Sequence, residues 1–271
     1  MTKHNPLVSV ISGAYNINEK QAELAINSIL DQTYDNFEFI ICDDGSTDNT
    51  SQILKKIAQR DHRIVLINNS RNLGLGTALN NCLKVAKGRY IARMDLDDYC
   101  VPKRLALQVK FLNDHLECDI VSSNGSLFDE DHKSPYGKLT LPENPSKKDF
   151  LFNSPFLHAG AMIRKTALSK VNNYRIAKET WRAEDYDLWM RMYANGSTGH
   201  NIQQPLYAIR EDKKAYSRRK YKYRIDEMIV RYKGFKSLGL LPGGMLYVIK
   251  PLIVGLIPGF VMKRLRKTSK K

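Results

Sequence analysis

The first hundred residues alternate between two patterns of apolar residues. Short runs rich in β-branched and aromatic residues predict buried strands, and they lie at 7–11, 37–42, 64–67 and 90–94. Segments with apolar residues at helical spacing separate them, at 18–32, 53–58 and 77–86. Because strands and helices alternate with short connections, the sequence predicts an α/β fold with a mainly parallel sheet flanked by helices.

The pattern is less regular in the second half of the chain. A helix is predicted through 105–112, a strand at 119–123 and a helix at 184–194. The polar region 124–150 predicts irregular or hairpin structure. The body ends near Arg210, so we expect a domain at 1–210 and a basic, apolar, helical C-terminal segment at 211–271.

Charge is concentrated in the C-terminal segment. The formal net charge is +15, and residues 210–271 hold 18 Lys and Arg against 4 Asp and Glu. This asymmetry favours an anionic partner, either a membrane surface or a nucleic acid. Residues 238–262 are strongly apolar, but Lys250 and three prolines interrupt them. We therefore expect an interfacial or re-entrant segment, with a helical pair packed on the body as the alternative.

Cysteine usage and the N-terminus indicate the compartment. The four cysteines match no zinc-binding spacing, and three lie in or beside apolar runs; they are Cys42, Cys82, Cys100 and Cys118. This pattern favours a reducing environment. The first six residues lack the apolar core of a signal peptide. We therefore expect the body of the protein to stay in the cytosol.

Three carboxylates follow the strand predicted at 90–94. They are Asp95, Asp97 and Asp98. Open α/β sheets bind ligands at the carboxyl ends of their strands, and clustered carboxylates repel unless a cation lies between them. Hard oxygen ligands suit Mg²⁺ or Mn²⁺ held together with a diphosphate. The alternative is a solvated acidic turn that caps the helix beginning near Pro102.

Two further acidic pairs and one histidine are candidate site residues. Asp43 and Asp44 end the second predicted strand. A carboxylate there can accept a hydrogen bond from the imide N–H of a base, or it can belong to a turn that caps the following helix. Glu184 and Asp185 begin a predicted helix, where a carboxylate can act as general base or complement the helix dipole. His158 lies in an apolar stretch. It is either a histidine of the core or a residue that contacts the metal or the diphosphate.

Six segments in this order resemble the family 2 glycosyltransferases with the GT-A fold. They are 8–16, 28–34, 43–48, 72–74, 88–98 and 184–189. The resemblance covers about residues 6–210. It implies inverting transfer of a sugar from a nucleotide-diphospho-sugar, with UDP as the favoured nucleotide.

The resemblance also implies roles for the candidate residues. The donor site would comprise Gly13, Tyr15, Asp43, Asp44, Arg93 and Asp95. Tyr15 would stack near the base, and Asp44 would accept a hydrogen bond from the base imide. At position 13 this sequence departs from the family, which often has threonine or proline there. Asp97 or Asp98 would bind Mn²⁺ or Mg²⁺, with His158 as a further candidate. Asp185 would be the general base, with Glu184 beside it. Inverting transfer needs one base and no covalent nucleophile, by analogy with inverting hydrolases.

Bacterial members of the family build surface polysaccharides such as capsule, O-antigen and exopolysaccharide on polyprenyl-diphosphate-linked acceptors. The resemblance therefore implies a location at the cytoplasmic face of the bacterial inner membrane, where the protein would be peripheral or monotopic and held to anionic lipid. Two other functional classes are alternatives to a glycosyltransferase. A nucleotidyltransferase needs a Gly-rich phosphate loop near the first strand, which Gly13 alone does not supply. A nucleic-acid binder would use the basic, Tyr-rich stretch 213–236, but no recognition motif accompanies it, so we expect no nucleic acid.

Overall fold

The computed structural model describes residues 6–129, 135–211 and 221–256. These residues form one sheet flanked by helices. The strands are β1 (Val8–Ala14), β2 (Phe37–Asp43), β3 (Ile64–Asn68), β4 (Tyr90–Arg93), β5 (Tyr99–Cys100), β6 (Ile120–Phe128), β7 (Tyr136–Leu139), β8 (Met162–Arg164) and β9 (Gly199–Arg210). The helices are α1 (Glu19–Leu30), α2 (Thr50–Ala58), α3 (Leu75–Val85), α4 (Arg104–Asp114), α5 (Lys165–Lys170), α6 (Glu184–Ala194), α7 (Lys222–Leu238) and α8 (Met245–Leu256).

The sheet order is β3-β2-β1-β4-β8-β6-β9-β5, with β7 paired to β6. The first four strands in this order are parallel, and Val8 of β1 lies opposite both Phe37 of β2 and Tyr90 of β4. The predicted βαβ units and the α/β fold class are therefore confirmed. Because these strands are parallel, the carboxyl ends of β1, β2 and β4 open on the same edge of the sheet.

Apolar cores cover both faces of the sheet. Neighbouring residues of a strand point to opposite faces, and this separates Val10 from Ile11 in β1. Val10 packs in the cluster that includes Ile26 of α1, whereas Ile11 packs in the cluster that includes Ala78 of α3. The continuous apolar runs of the sequence correspond to strands buried on both faces.

The second half of the sheet is mixed and more irregular. The region 124–150 contains the end of β6 and the strand β7, which pair antiparallel, so the hairpin alternative is confirmed there. The twelve-residue strand β9 pairs parallel with β6, with register shifts on both sides of Asn124. These shifts let β9 contain Pro205, since a proline cannot donate to a regular ladder.

The C-terminal helices pack on the body with one face each. Val230 and Phe235 of α7 are fully buried, and a Cβ added to Gly234 would meet Met190 of α6. The outer face of α8 is apolar and exposed; it comprises Met245, Leu246, Ile249, Ile253 and Leu256. No helix among the described residues has the length and apolar content to cross a membrane. Parts of the predicted tail, 212–220 and 257–271, lie outside the described residues.

Candidate active site

The acidic cluster lies where the chain turns away from β4. Carboxylate oxygens of Asp95, Asp97 and Asp98 lie within 4.8 Å of one another. Met94 and Leu96 are buried on either side of Asp95, so the turn is anchored in the core. This alternation directs the acidic side chains to the carboxyl edge of the sheet, as the sequence predicted.

Strand β9 holds the turn in place. The carboxylate of Asp98 accepts a hydrogen bond from the backbone N–H of Arg210 at 2.7 Å. The Arg210 guanidinium donates to the carbonyl of Asp97 at 2.8 Å. The backbone N–H of Asp95 donates to the Tyr207 hydroxyl at 3.1 Å. Tyr207 and Arg210 lie more than a hundred residues beyond the acidic turn in the sequence, and no local sequence pattern predicted that they would contact it.

The cluster suits a divalent cation. Burial, followed by the charges of Asp95 and Asp97, raises the pKa of Asp98 to about 8. Carboxylates crowded in this way are stabilised by a cation between them. Three carboxylates also supply the hard oxygen donors that Mg²⁺ and Mn²⁺ prefer. The donor set therefore fits such an ion.

Arg93 is a buried cation behind the cluster. Its side chain is 1% exposed and pairs with the carboxylate of Asp95. A second guanidinium nitrogen donates to the carbonyl of Met94, while Nε is buried without a partner. Burial lowers the pKa of Arg93, but Asp95, Tyr174 and Tyr207 together raise it by more, so the pKa of Arg93 lies above its ordinary value. Arg93 therefore stays charged.

The second acidic group begins α6. Burial, followed by the charge of Asp185, raises the pKa of Glu184 to about 8, and Oε2 of Glu184 is buried without a partner. Burial also raises the pKa of Asp185. The charge of Arg93 lowers the pKa of both carboxylates, and the charge of Asp95 raises it. The fold thus brings the two acidic motifs together around Arg93, although 89 residues separate Asp95 from Glu184 in the numbering.

Asp187 lies one turn further along α6 and has a different environment. Its carboxylate receives the Arg175 guanidinium at 2.6 Å and the Arg191 guanidinium at 2.7 Å. Both oxygens are therefore paired within the protein. Asp187 stabilises α6, whereas Glu184 and Asp185 have no ion pair among the described residues.

Asp43 and Asp44 organise the loops beside β2. One oxygen of Asp43 accepts from the Ser46 backbone N–H at 3.0 Å and the other from the Ser51 hydroxyl. Asp44 accepts hydrogen bonds from Asn69, at 2.6 Å, and from the backbone N–H groups of 73 and 74. Both oxygens of Asp44 thus already bind the chain, and its contact to a base imide stays a prediction.

Gly13 and Tyr15 lie at the end of β1. A Cβ at Gly13 would lie 3.0 Å from a methyl group of Leu75, so the missing side chain leaves room for α3. This gives Gly13 a packing role that the sequence did not indicate. Tyr15 is 46% exposed at the carboxyl edge of the sheet, which leaves its ring accessible to a base.

His158 does not join the acidic cluster. Its Nε2 lies 2.8 Å from the Tyr174 hydroxyl, and its ring contacts Trp189 edge to face. Burial, followed by the charge of Arg93, lowers the pKa of His158 well below its ordinary value, so the ring is neutral. In the described residues, the group of acidic, histidine and cysteine side chains close enough for a shared ion is that of Asp95, Asp97 and Asp98. Metal binding by His158 stays a prediction.

Two relatives match most of the chain. EpsE of Bacillus subtilis (strain 168) is 42% identical over 263 residues, which cover 97% of this chain and 94% of EpsE. The UDP-Glc:alpha-D-GlcNAc-diphosphoundecaprenol beta-1,3-glucosyltransferase WfaP of Escherichia coli is 32% identical over 234 residues, covering 86% of this chain and 87% of WfaP.

Solved structures share the fold. S. aureus TarS 1-349 in complex with UDP-GlcNAc superposes with a TM-score of 0.67 at 20% identity, over 86% of this chain and 71% of that one. Mannosyltransferase PcManGT from Pyrobaculum calidifontis, in complex with GDP-Man and Mn²⁺, gives 0.61 at 19% identity, over 98% and 80%. These likenesses confirm the GT-A fold. The model of the family described as glycosyl transferase family 2 matches residues 9–171. With the sequence relatives above, this match shows that the chain belongs to glycosyl transferase family 2.

Proposed function

We propose that this protein is a metal-dependent, inverting glycosyltransferase that moves a sugar from a UDP-sugar to a hydroxyl of a lipid-linked saccharide in bacterial surface polysaccharide assembly. The observation that carries the proposal is the placement of two acidic motifs around the buried cation Arg93. One motif suits a metal-bound diphosphate and the other suits a base. The reaction needs both within one cleft.

The donor side of the reaction belongs to the acidic turn. Asp97 and Asp98 would hold Mn²⁺ or Mg²⁺, and the bound ion neutralises charge on the leaving diphosphate. Asp95, which pairs with Arg93, would bind the donor's ribose. Tyr15 and Asp44, at the ends of β1 and β2, would receive the base. The Mn²⁺ named for the Pyrobaculum structure supports the use of a divalent ion.

Asp185 would act as the base. The acceptor hydroxyl oxygen attacks the anomeric carbon as the bond from that carbon to the diphosphate oxygen breaks, and the hydroxyl proton passes to the Asp185 carboxylate. One displacement inverts the anomeric carbon, by analogy with inverting hydrolases. Burial raises the pKa of Asp185, which strengthens the carboxylate as a proton acceptor.

The relatives and the C-terminal helices support the proposed acceptor and location. WfaP is named for a diphosphoundecaprenol-linked acceptor and a beta linkage, which supports a polyprenyl-diphosphate-linked saccharide here. The exposed apolar face of α8 adjoins Lys250, and the segment 210–271 carries a net charge of +14. Such a surface suits an anionic membrane. We place the catalytic domain at 1–210 on the cytoplasmic face, with 211–271 as its membrane-associating segment.

The test measures nucleotide release from UDP-, dTDP- and GDP-sugars with Mn²⁺, Mg²⁺ or EDTA, with and without a polyprenyl-diphosphate-linked sugar. We expect metal-dependent turnover of a UDP-sugar, stimulated by the acceptor. Asp185→Asn should lower transfer by at least about a hundredfold, the usual contribution of a general base. Asp114→Asn, on the surface of α4, is the matched control. Full transfer activity of Asp185→Asn would overturn the base assignment, and activity unchanged by EDTA would overturn the metal role.

A further inference from the structure

A second arginine is buried next to the acidic turn and has no role in the chemistry proposed above. Arg104 is the first residue of α4, and its side chain is fully buried. In the part of the chain that the structure describes, no carboxylate forms an ion pair with Arg104. Burial of a cation without a counter-ion is costly. The other contacts of Arg104 therefore have to explain its position.

The Arg104 guanidinium binds the backbone from which the acidic turn departs. Its Nη2 donates to the carbonyl of Arg93 at 2.7 Å and lies 3.4 Å from the carbonyl of Ala161. The same Ala161 carbonyl accepts the backbone N–H of Arg93 at 2.9 Å. Nη1 lies 3.8 Å from the sulfur of Met94. Arg104 thus fixes the two residues that directly precede Asp95.

Tyr207 connects Arg104 to the turn from the opposite side. The Cζ atom of Arg104 lies 5.2 Å from the centre of the Tyr207 ring, within the range of a cation–π contact. Tyr207 is fully buried, and its hydroxyl accepts the backbone N–H of Asp95 at 3.1 Å. The turn is therefore held by Arg104 in two ways, directly at the end of β4 and through a side chain of β9.

Gln108 orients the guanidinium. It lies one turn further along α4 and is fully buried. Its Oε1 accepts a hydrogen bond from Nε of Arg104 at 3.2 Å. Its Nε2 donates to the carbonyl of Gly160 at 2.7 Å and lies 3.4 Å from the carbonyl of Val121 in β6. Arg104 and Gln108 together connect α4 to β4, to β6 and to the segment that precedes β8.

We propose that Arg104 is a positioning residue for the divalent cation. Through the Arg93 carbonyl and the Tyr207 ring it holds the turn, so that the three carboxylates stay within 4.8 Å of one another. Carboxylates this close repel one another before an ion binds, so a turn without this support would let them separate. The inference rests on the proposed metal-dependent transfer and deepens it, because it assigns part of the metal affinity to a residue outside the proposed ligands.

The experiment measures the Mn²⁺ affinity of the full-length protein in excess UDP, from the electron paramagnetic resonance signal of free Mn²⁺. Arg104→Met removes the charge and the donors but keeps an unbranched side chain. Arg104→Lys keeps the charge but loses the fork of separate donors. Gln108→Met removes only the partner of Nε. Thermal unfolding establishes that each variant is folded.

Arg164 provides a matched control. Like Arg104, it is buried, it donates to a backbone carbonyl, that of Cys118 at 2.8 Å, and it lies over a tyrosine ring, that of Tyr90 at 5.5 Å. It differs in its place, because Arg164 lies opposite Tyr90 at the start of β4, whereas the acidic turn follows the end of β4. Arg164→Met should therefore lower stability and leave the Mn²⁺ affinity unchanged.

We expect Arg104→Met to weaken Mn²⁺ binding by about tenfold or more, the usual contribution of a residue that supports metal ligands. Arg104→Lys and Gln108→Met should weaken it by smaller factors, and these two variants decide the question where Arg104→Met does not fold. Unchanged or tighter Mn²⁺ binding in the folded Arg104 and Gln108 variants, or an equal loss in Arg164→Met, would overturn the positioning role. A wild type that binds no Mn²⁺ in excess UDP would instead overturn the metal role in the proposed function, so the two failures are distinguishable.

Discussion

Replacement of Glu184 by glutamine should stabilise the protein. The Glu184 carboxylate is buried beside Asp185, Oε2 lacks a partner, and the pKa is raised from 4.5 to about 8. The native state therefore binds this proton more tightly than the unfolded state does. By linkage, wild-type stability falls as the pH rises from about 4.5 to about 8. Glutamine is neutral throughout and nearly the same shape, so this loss should disappear in the variant.

The magnitude follows from the same pKa. Each pH unit between the two values corresponds to about 1.4 kcal/mol, which sets a ceiling of about 5 kcal/mol at pH 8 and above. Below about pH 4.5 both proteins carry a neutral side chain here, and the difference should approach zero. Asp185 retains its own raised pKa in the variant, so part of the pH dependence should remain. The expected effect is therefore a difference of a few kcal/mol that grows with pH.

The assay is urea unfolding of metal-free wild type and Glu184→Gln at several pH values from 5 to 8. A two-state fit gives the free energy of unfolding at each pH. The reasoning requires Glu184→Gln to be the more stable protein at pH 8 and to lose most of that advantage at pH 5. Equal stability at every pH, or a less stable variant at pH 8, would show that the Glu184 carboxylate is solvated or paired in the folded protein.

Two further substitutions test neighbouring features. Asp187→Asn removes the negative charge and one of the two oxygens that accept from Arg175 and Arg191, so it should destabilise the protein by about 1–3 kcal/mol in the same urea assay; wild-type stability would show that these ion pairs contribute nothing. Replacing Leu246 and Ile253 of α8 together by glutamate should weaken sedimentation with anionic vesicles by at least about tenfold, since each side chain is exposed and apolar. Leu116→Glu is the control for the second experiment, and unchanged vesicle binding of the double variant would exclude α8 as the docking face.

The sequence predicted those parts of the fold that depend on local patterns. The apolar runs placed β1 to β4 correctly because strands buried on both faces need apolar residues at successive positions. Their parallel order then predicted that Asp43, Asp44 and the acids after β4 would share one edge of the sheet. The structure shows this arrangement. The two-residue strand β5 and the shifted register of β9 escaped prediction, because long-range pairing sets both.

The partners of each acidic side chain could not be predicted from the sequence motifs alone. Asp185 and Asp187 lie two residues apart in one acidic stretch, yet Asp187 is paired with two arginines and Asp185 is not. Arg175 reaches Asp187 only through the fold of the segment before α6. Tyr207 and Arg210 reach the acidic turn through the pairing of β5 with β9. Similarly, the sequence predicted a helical C-terminal segment, but only packing decides which face of α8 remains exposed.

The acidic side chains near the buried Arg93 outnumber it. Arg93 is a cation whose charge acts on both acidic motifs, and it already pairs with Asp95. One guanidinium cannot neutralise Asp97, Asp98, Glu184 and Asp185 as well. Burial is the main cause of the raised pKa values of these four side chains, and the charge of Asp95 raises all four further. A divalent ion at the turn would supply positive charge where Asp97 and Asp98 crowd together. It would also lower the pKa values of Glu184 and Asp185 through space. Metal binding at one motif should therefore favour the ionised, proton-accepting state at the other, which would couple donor binding to activation of the proposed base.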